Sequence, residues 1–564
     1  MKFNELEYKR LDYNQTSKKL ESLVNRLEEA KSAENFLTVF KEIDKINSHM
    51  ETMISLCYVR HSIDTSNKFY DEENDYWDQT IPKYQVYFTK IAKIMCNTKF
   101  KDELYQDIGE TYFKMAEYEI MSFDEKIIPL LQEENKLTSE YDKLKAKAKV
   151  EFEGKIYNLS TIQPFTESEN RDIRKRSYDA KIKFYEENES EFDRIYDQLV
   201  KVRDKIAKEL GFKNFTELGY IRMNRLDYNQ EMVSQYRKEI LAEVVPFVSE
   251  LNIKQAKRLG LNSLKYYDKS FKFKSGNPKP KGNPKELVSK AINMYEDMSN
   301  ETSNFIHLMN DNNLWDLESK ENKSMGGYCT TFPDFKLPFI FSNFNGTSGD
   351  VDVLTHEAGH AFQAFMSKDI FPTALQSPTL ESCEIHSMSM EFFAYKYMKD
   401  FFKEDVEKYF YSHLSSTFSF LPYGVLVDHF QHEVYNNPNM TASERKDCWR
   451  KLEKMYLPTL DYEDNDFLDR GNFWFQQGHI FSSPFYYIDY TLAQVCALQF
   501  WNRMITNDED YWTDYINLCK LGGTKSFVNL VKAANLKVPF QAGCLKDVVK
   551  NARNYLNSID DSKL

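Results

Sequence analysis

Residues 351–365 read VDVLTHEAGHAFQAF. Val351, Leu354, Ala358, Phe362 and Phe365 recur at spacings of three and four, so the stretch predicts an amphipathic helix, with Ser348 or Asp350 placed to cap its start. His356 and His360 then share another face one turn apart, which brings both imidazoles within reach of one metal ion. Glu357 projects beside that pair and is the candidate general base for a water activated by the metal. Gly359 has no side chain, so another backbone or a substrate can approach the helix closely there. An HExxH pattern arises by chance in such a chain on the order of once in a hundred, which makes it informative.

Two histidines do not complete a catalytic site, which takes a third protein ligand and leaves one position open for water. The residues that follow, AFQAFMSKDI (361–370), contain no histidine. A carboxylate from a second helix is the alternative, and SPTLESCEIHSMSMEFFAYKYMKD (377–400) supplies it. Ser377 is placed as a cap and Pro378 suits a first turn, which predicts a helix over 378–398. Glu384 and Glu391 are seven apart and therefore on one face, so one can bind metal while the other supports the ligands from behind. His386 lies about 200° round that helix from Glu384, which argues against it as a co-ligand.

Upstream, SMGGYCTTFPDFKLPFIFSNFNGTSGD (324–350) replaces Lys/Glu-rich helix with glycine, proline and aromatics. Residues 338–344 read as a strand and 345–350 as a turn into the HExxH helix. Such a strand serves either as an edge to which an extended peptide adds by main-chain hydrogen bonds, or as the closing strand of a small sheet. Farther out the pattern is helical almost throughout, over 17–48, 81–145 and 170–210. A hairpin is expected at 149–158 with Glu153-Gly154 as its turn, and a loop at 275–286.

The composition is that of a globular protein, with 41% hydrophobic and 29% charged residues and a mean hydropathy of −0.62 over 564 residues, a length that implies more than one lobe. A net charge of −13 argues against nucleic acid or an anionic membrane as the main partner. No run of 18 apolar residues occurs, and the N-terminal residues have no apolar signal core. Eight scattered cysteines without a CxxC pair fit free thiols in a reducing cytoplasm, which is the expected location.

HEAGHAF (356–362), with ESCEIHSMSMEFF (381–393) placing Glu384 24 residues beyond the second histidine, resembles the oligoendopeptidase F and thimet-oligopeptidase family of zinc metallopeptidases. The family's E-x-x-S-x-x-x-E context aligns here with Glu384, Ser387 and Glu391, and the likeness covers roughly residues 190–550. The resemblance implies one Zn²⁺ held by His356, His360 and Glu384. It implies a mostly α, two-lobed helical zincin-type fold with a deep substrate channel and a small β-sheet near the active-site helix. The expected division is an N-terminal helical lobe, 1–190, and a catalytic lobe, 191–564. The resemblance also directs attention to GHIFSSPFYYIDYTLAQ (478–494), where relatives carry substrate-binding histidine and tyrosine. Read as one helix, His479, Tyr486 and Tyr490 fall on one face, with Tyr487 about 100° away.

The expected activity is hydrolysis of internal bonds in short peptides, with Glu357 as base and His479, Tyr486 or Tyr490 stabilising the oxyanion. A zinc carboxypeptidase and a non-catalytic peptide-binding scaffold with structural zinc are the competing readings. His429 and His432 are expected in structural or substrate-contact roles. His49, His61, His307 and His413 are isolated in sequence and are expected to be ordinary surface or core residues.

Overall fold

The computed structural model describes residues 1–324 and 326–564. Its N-terminal third is a succession of amphipathic helices: α1 (Tyr13–Glu28), α2 (Ala33–Ile63), α3 (Lys68–Asn97) and, after two shorter helices, α4 (Ile128–Ala146). The expected helix over 17–48 is therefore two. Ser32 starts the second by accepting from the backbone of Asn35, because a serine at that position satisfies an orphan N–H more cheaply than continuing one helix would. The hairpin forms as expected, β1 (Val150–Phe152) pairing with β2 (Lys155–Tyr157), and Glu153 and Gly154 both take positive φ (49° and 76°), as a two-residue primed turn requires. Helices α5 (Arg171–Glu187) and α6 (Glu189–Glu209) follow.

A three-stranded sheet precedes the HExxH motif. It consists of β3 (Trp315–Glu318), β4 (Tyr328–Phe332) and β5 (Leu337–Phe344), in the order β3-β5-β4. β5 is parallel to β3 and antiparallel to β4, so the 338–344 strand is central, and the reading of it as a peptide-accepting edge is corrected. Its sequence explains this: seven of its eight residues are buried, as befits a strand covered on both faces and paired on both sides. The edge facing the catalytic helix belongs to β4. A Cβ placed on Gly327, just before β4, would lie 3.7 Å from Glu357 Oε1.

The chain then enters α7 (Gly349–Ser367) and α8 (Leu380–Phe393), which pack on each other. Neither start is as expected. Ser348 stands at the N-cap of α7 without a side-chain cap bond, and Asp350 turns back to accept from the backbone N–H groups of Asn345 and Gly346, bracing the turn rather than the helix. α8 begins at Leu380 after Thr379, two residues later than Ser377-Pro378 suggested, and ends at Phe393, where a 3₁₀ turn takes over. α9 (Val406–Asn436) and α10 (Tyr487–Ile505) complete the surroundings, α8 lying along α10. One hydrophobic cluster runs from Leu6 to Leu556, and a small second one lies under the hairpin. Among the described residues no helix is long and apolar enough to cross a membrane.

Candidate metal centre and active site

Helix periodicity puts His356 and His360 one turn apart on α7, and the α7–α8 crossing brings Glu384 to them. One ligand atom from each of the three lies within 4.8 Å of the others. Glu384 Oε2 is 3.2 Å from His356 Nε2 and 3.5 Å from His360 Nε2. Donors about 2.1 Å from a tetrahedral ion stand roughly 3.4 Å apart, so the residues present fit a zinc ion. The helices come this close because Gly359 lies at the crossing: a Cβ there would meet His386 O and Ser387 Cα at 2.6 Å. The close approach expected at Gly359 is thus made by the backbone of α8.

The charges of the cluster are tightly coupled. Burial opposes ionisation of Glu384, but His356 and His360 outweigh it and hold its carboxyl well below the usual range. Ser387 Oγ donates to Glu384 Oε2 at 2.9 Å and fixes its orientation. Burial likewise disfavours a charged His356, yet Glu384 and Glu391 raise its pKa well above the ordinary value. Glu357 is buried with Oε2 lacking a hydrogen-bond partner among the described residues, and burial raises its pKa against the pull of both histidines. A carboxylate without a partner, next to three convergent donors, is placed to take a proton.

Behind His356 lies a chain of which the sequence disclosed only the first member, Glu391. His356 Nδ1 meets Glu391 Oε1 at 2.7 Å, Glu391 Oε2 meets His413 Nε2 at 2.8 Å, and Tyr395 OH meets His413 Nδ1 at 2.7 Å. The bond to Glu391 commits the Nδ1 proton of His356 and leaves Nε2 for metal. Reading His413 as an ordinary isolated residue is therefore corrected: it is 22 residues from Glu391, on α9, and no local spacing links the two. Burial opposes ionisation of Glu391, but His356 and His413 pull its pKa down to about 2.

The structure brings His479, Tyr486 and Tyr490 together, but not by the helical arithmetic. The segment is a short helix, Gly478–Ser482, then a break at Ser483-Pro484-Phe485, then α10. Phe485 takes φ 68°, and that reversal folds the two helices so that the His479 ring centroid lies 5.7 Å from Tyr486, 5.8 Å from Tyr490 and 5.0 Å from Tyr487. Tyr487 is thus as near as the other two. Tyr423 OH donates to Gln477 Oε1 at 2.9 Å and Gln477 Nε2 donates to His479 Nδ1 at 2.9 Å. Nδ1 is therefore the acceptor and Nε2 carries the proton that His479 can donate. Burial, then Lys145, lowers the His479 pKa and keeps the ring neutral. Burial raises the pKa of Tyr486 and Tyr490, and Glu384 adds to it at both, so their hydroxyls remain donors.

The other histidines do not join the cluster. His386 is fully buried, and burial lowers its pKa to about 4. His432 bonds Tyr220 OH (3.0 Å) and His429 bonds Tyr456 OH (3.0 Å). His49, His61 and His307 pair with Asp334, Asp71 and Glu296.

A helix bearing HExxH, a carboxylate from the next helix and a small sheet alongside define a helical zincin-type metallopeptidase. Family models for the Peptidase M3 N-terminal domain and for Peptidase family M3 match residues 3–123 and 165–549, and the chain belongs to peptidase family M3. It is 48% identical, over 100% of both chains, to a solved structure of PZ peptidase A with an inhibitor, with a TM-score of 0.94. Curated relatives include oligoendopeptidase F homologues of Borreliella burgdorferi (23% identical over 65% of this chain) and Lactococcus lactis (22% over 67%). These two alignments span 62% and 65% of the relatives' own lengths.

Proposed function

We propose that the chain is a zinc-dependent endopeptidase that hydrolyses internal bonds of short peptides. The observation that carries this reading is the convergence of His356, His360 and Glu384 beside Glu357, whose buried Oε2 has no hydrogen-bond partner among the described residues. His356, His360 and Glu384 would hold the ion, which when bound supplies Lewis acidity toward water and the scissile carbonyl. Glu357 accepts a proton from the attacking water and returns it to the leaving amine. His479 Nε2–H and the hydroxyls of Tyr486 and Tyr490 donate to the carbonyl oxygen as negative charge develops on it. Tyr487, equally close to His479, joins the candidates. The β4 edge, beside Glu357, is the strand to which an extended peptide adds.

The M3 match and the 48%-identical neighbour support the substrate class, and the deep channel, the division into 1–190 and 191–564 and one zinc per chain belong to the same reading. Eight cysteines scattered through the chain without a CxxC pair support a reducing cytoplasm as the compartment. The test is mass spectrometry of products from an internally quenched, C-terminally amidated peptide, with and without a chelator. Internal cuts abolished by the chelator are expected; an uncut peptide in the presence of zinc would overturn the reading.

A further inference from the structure

The chain pairs most of its buried cations. Arg203 meets Glu134, Arg225 meets Asp489, Arg237 meets Asp428 and Lys323 meets Asp316. Lys145 breaks this habit. It sits half-buried in the last turn of α4, and among the described residues no carboxylate lies within 4 Å of its ammonium, in a chain with 87 acidic residues against 74 basic ones. Asp142, one turn earlier, interacts with it only at longer range.

Its position beside the candidate site is fixed. Tyr141 OH donates to Phe475 O at 3.0 Å, and the Tyr141 ring stacks on Phe481 at 4.0 Å, which ties α4 to the segment bearing His479. Lys145 Nζ reaches Gln476 O at 3.4 Å, its one hydrogen bond among the described residues, stands 5.0 Å from the centroid of the Tyr141 ring, and lies 3.9 Å from where a Cβ on Gly478 would be. Lys181, also half-buried and without an ion pair among the described residues, adds a second positive charge, and burial lowers the pKa of both. An ammonium taken part-way out of water without an anion is unfavourable, and a carboxylate arriving there relieves it.

We propose that Lys145 is a specificity-determining residue whose ammonium, with Lys181 behind it, binds a carboxylate of the peptide substrate on the His479 side of the scissile bond. That carboxylate is either the free C-terminus or an Asp or Glu side chain. The inference rests on the peptidase reading above and names the substrate class for the same site.

The experiment compares one peptide in three forms, as the free acid, as the C-terminal amide, and as the amide with a single Asp walked through the sequence. Binding is read by fluorescence anisotropy on Glu357→Gln, which needs no turnover, and cleavage is read on the wild type. The free acid, or one Asp position, should bind about ten- to a hundredfold more tightly than the plain amide, the range of a charge-assisted hydrogen bond. This preference should shrink as salt rises and collapse toward one in K145M combined with E357Q. Tighter binding of the free acid alone assigns the C-terminal carboxylate; tighter binding at one Asp position assigns a side chain. Equal affinity for all three forms, or a preference that survives K145M, overturns the proposal. Absence of cleavage alongside a Lys145-dependent binding preference would instead sink the peptidase reading and leave this one standing.

Discussion

His356 is held from two directions, by the ligand partner Glu384 on one nitrogen and by Glu391 on the other. Replacing His413 with alanine removes the far support of Glu391, and metal affinity should fall about 10- to 100-fold, measured by competition with a chromogenic chelator. Glu357→Gln acts differently, because Glu357 holds no metal. Its kcat/KM should drop about 10²- to 10⁴-fold while metal content by elemental analysis stays that of the wild type. The convergence of His356, His360 and a carboxylate of the next helix was legible in the sequence because each relation is local, one helical turn for the histidines and one face of the following helix for Glu384 and Glu391, while the choice of Glu384 came from the family resemblance. His413 was not, because its relation to Glu391 is made by packing of α9 on α8, and a lone histidine carries no mark of its partner.

Between elements, the decisive contacts are backbone on backbone. The α7–α8 crossing leaves no room for a methyl group at Gly359, where the obstructing atoms are main chain and cannot swing aside. Gly359→Ala should therefore cost about 1–3 kcal/mol in stability, seen as a lower Tm, and weaken metal binding by parting His360 from Glu384. A similar constraint shapes the turn before α10. Phe485 N donates to Gln431 Oε1 at 3.0 Å, Arg225 donates to its carbonyl, and its ring lies where a Cβ on Gly219 would come within 2.5 Å. Gly219→Ala should displace that turn and lower kcat with little change in metal affinity, a split that chelator competition and kinetics resolve together. Element types were readable from periodicity, but their arrangement was not. The centrality of β5 depends on β3, whose four residues carry little pattern, and the reversal at Phe485 replaced a continuous helix whose face the spacing had computed.

Across the whole molecule, buried carboxylate–arginine pairs join segments far apart in sequence. Glu134 on α4 binds Arg203 on α6 at 2.6 Å and Arg222 at 3.1 Å, and Arg203 Nη1 donates to Tyr435 OH on α9 at 2.8 Å. Burial opposes the charge on Glu134, but the two arginines win and lower its pKa below the ordinary 4.5. A depressed folded pKa means that this stabilisation is complete above the unfolded value and is lost as pH falls through the folded one. Glu134→Gln should cost about 3 kcal/mol at neutral pH, leaving the buried Arg203 and the half-buried Arg222 short of a counter-charge, and should flatten the acid limb of a stability–pH profile measured by urea melts. The mostly helical class was readable from composition and periodicity. These pairings were not, since Glu134 and Arg203 look like any other members of charged helix faces.

The order of the parts along the chain has a consequence for biosynthesis. His356, His360 and Glu384 all lie within the span from α7 to α8, directly after the sheet that supports them, whereas His479, Tyr486 and Tyr490 come from residues synthesised later, around the break before α10 and in its first turn. A nascent chain that has emerged only through α8 already holds the three proposed ligands and none of the late donors. On the proposed reading, ion loading can precede completion of the chain, and the hydrogen-bond donors to the carbonyl join the site only after the segment before α10 and the first turn of α10 have been made.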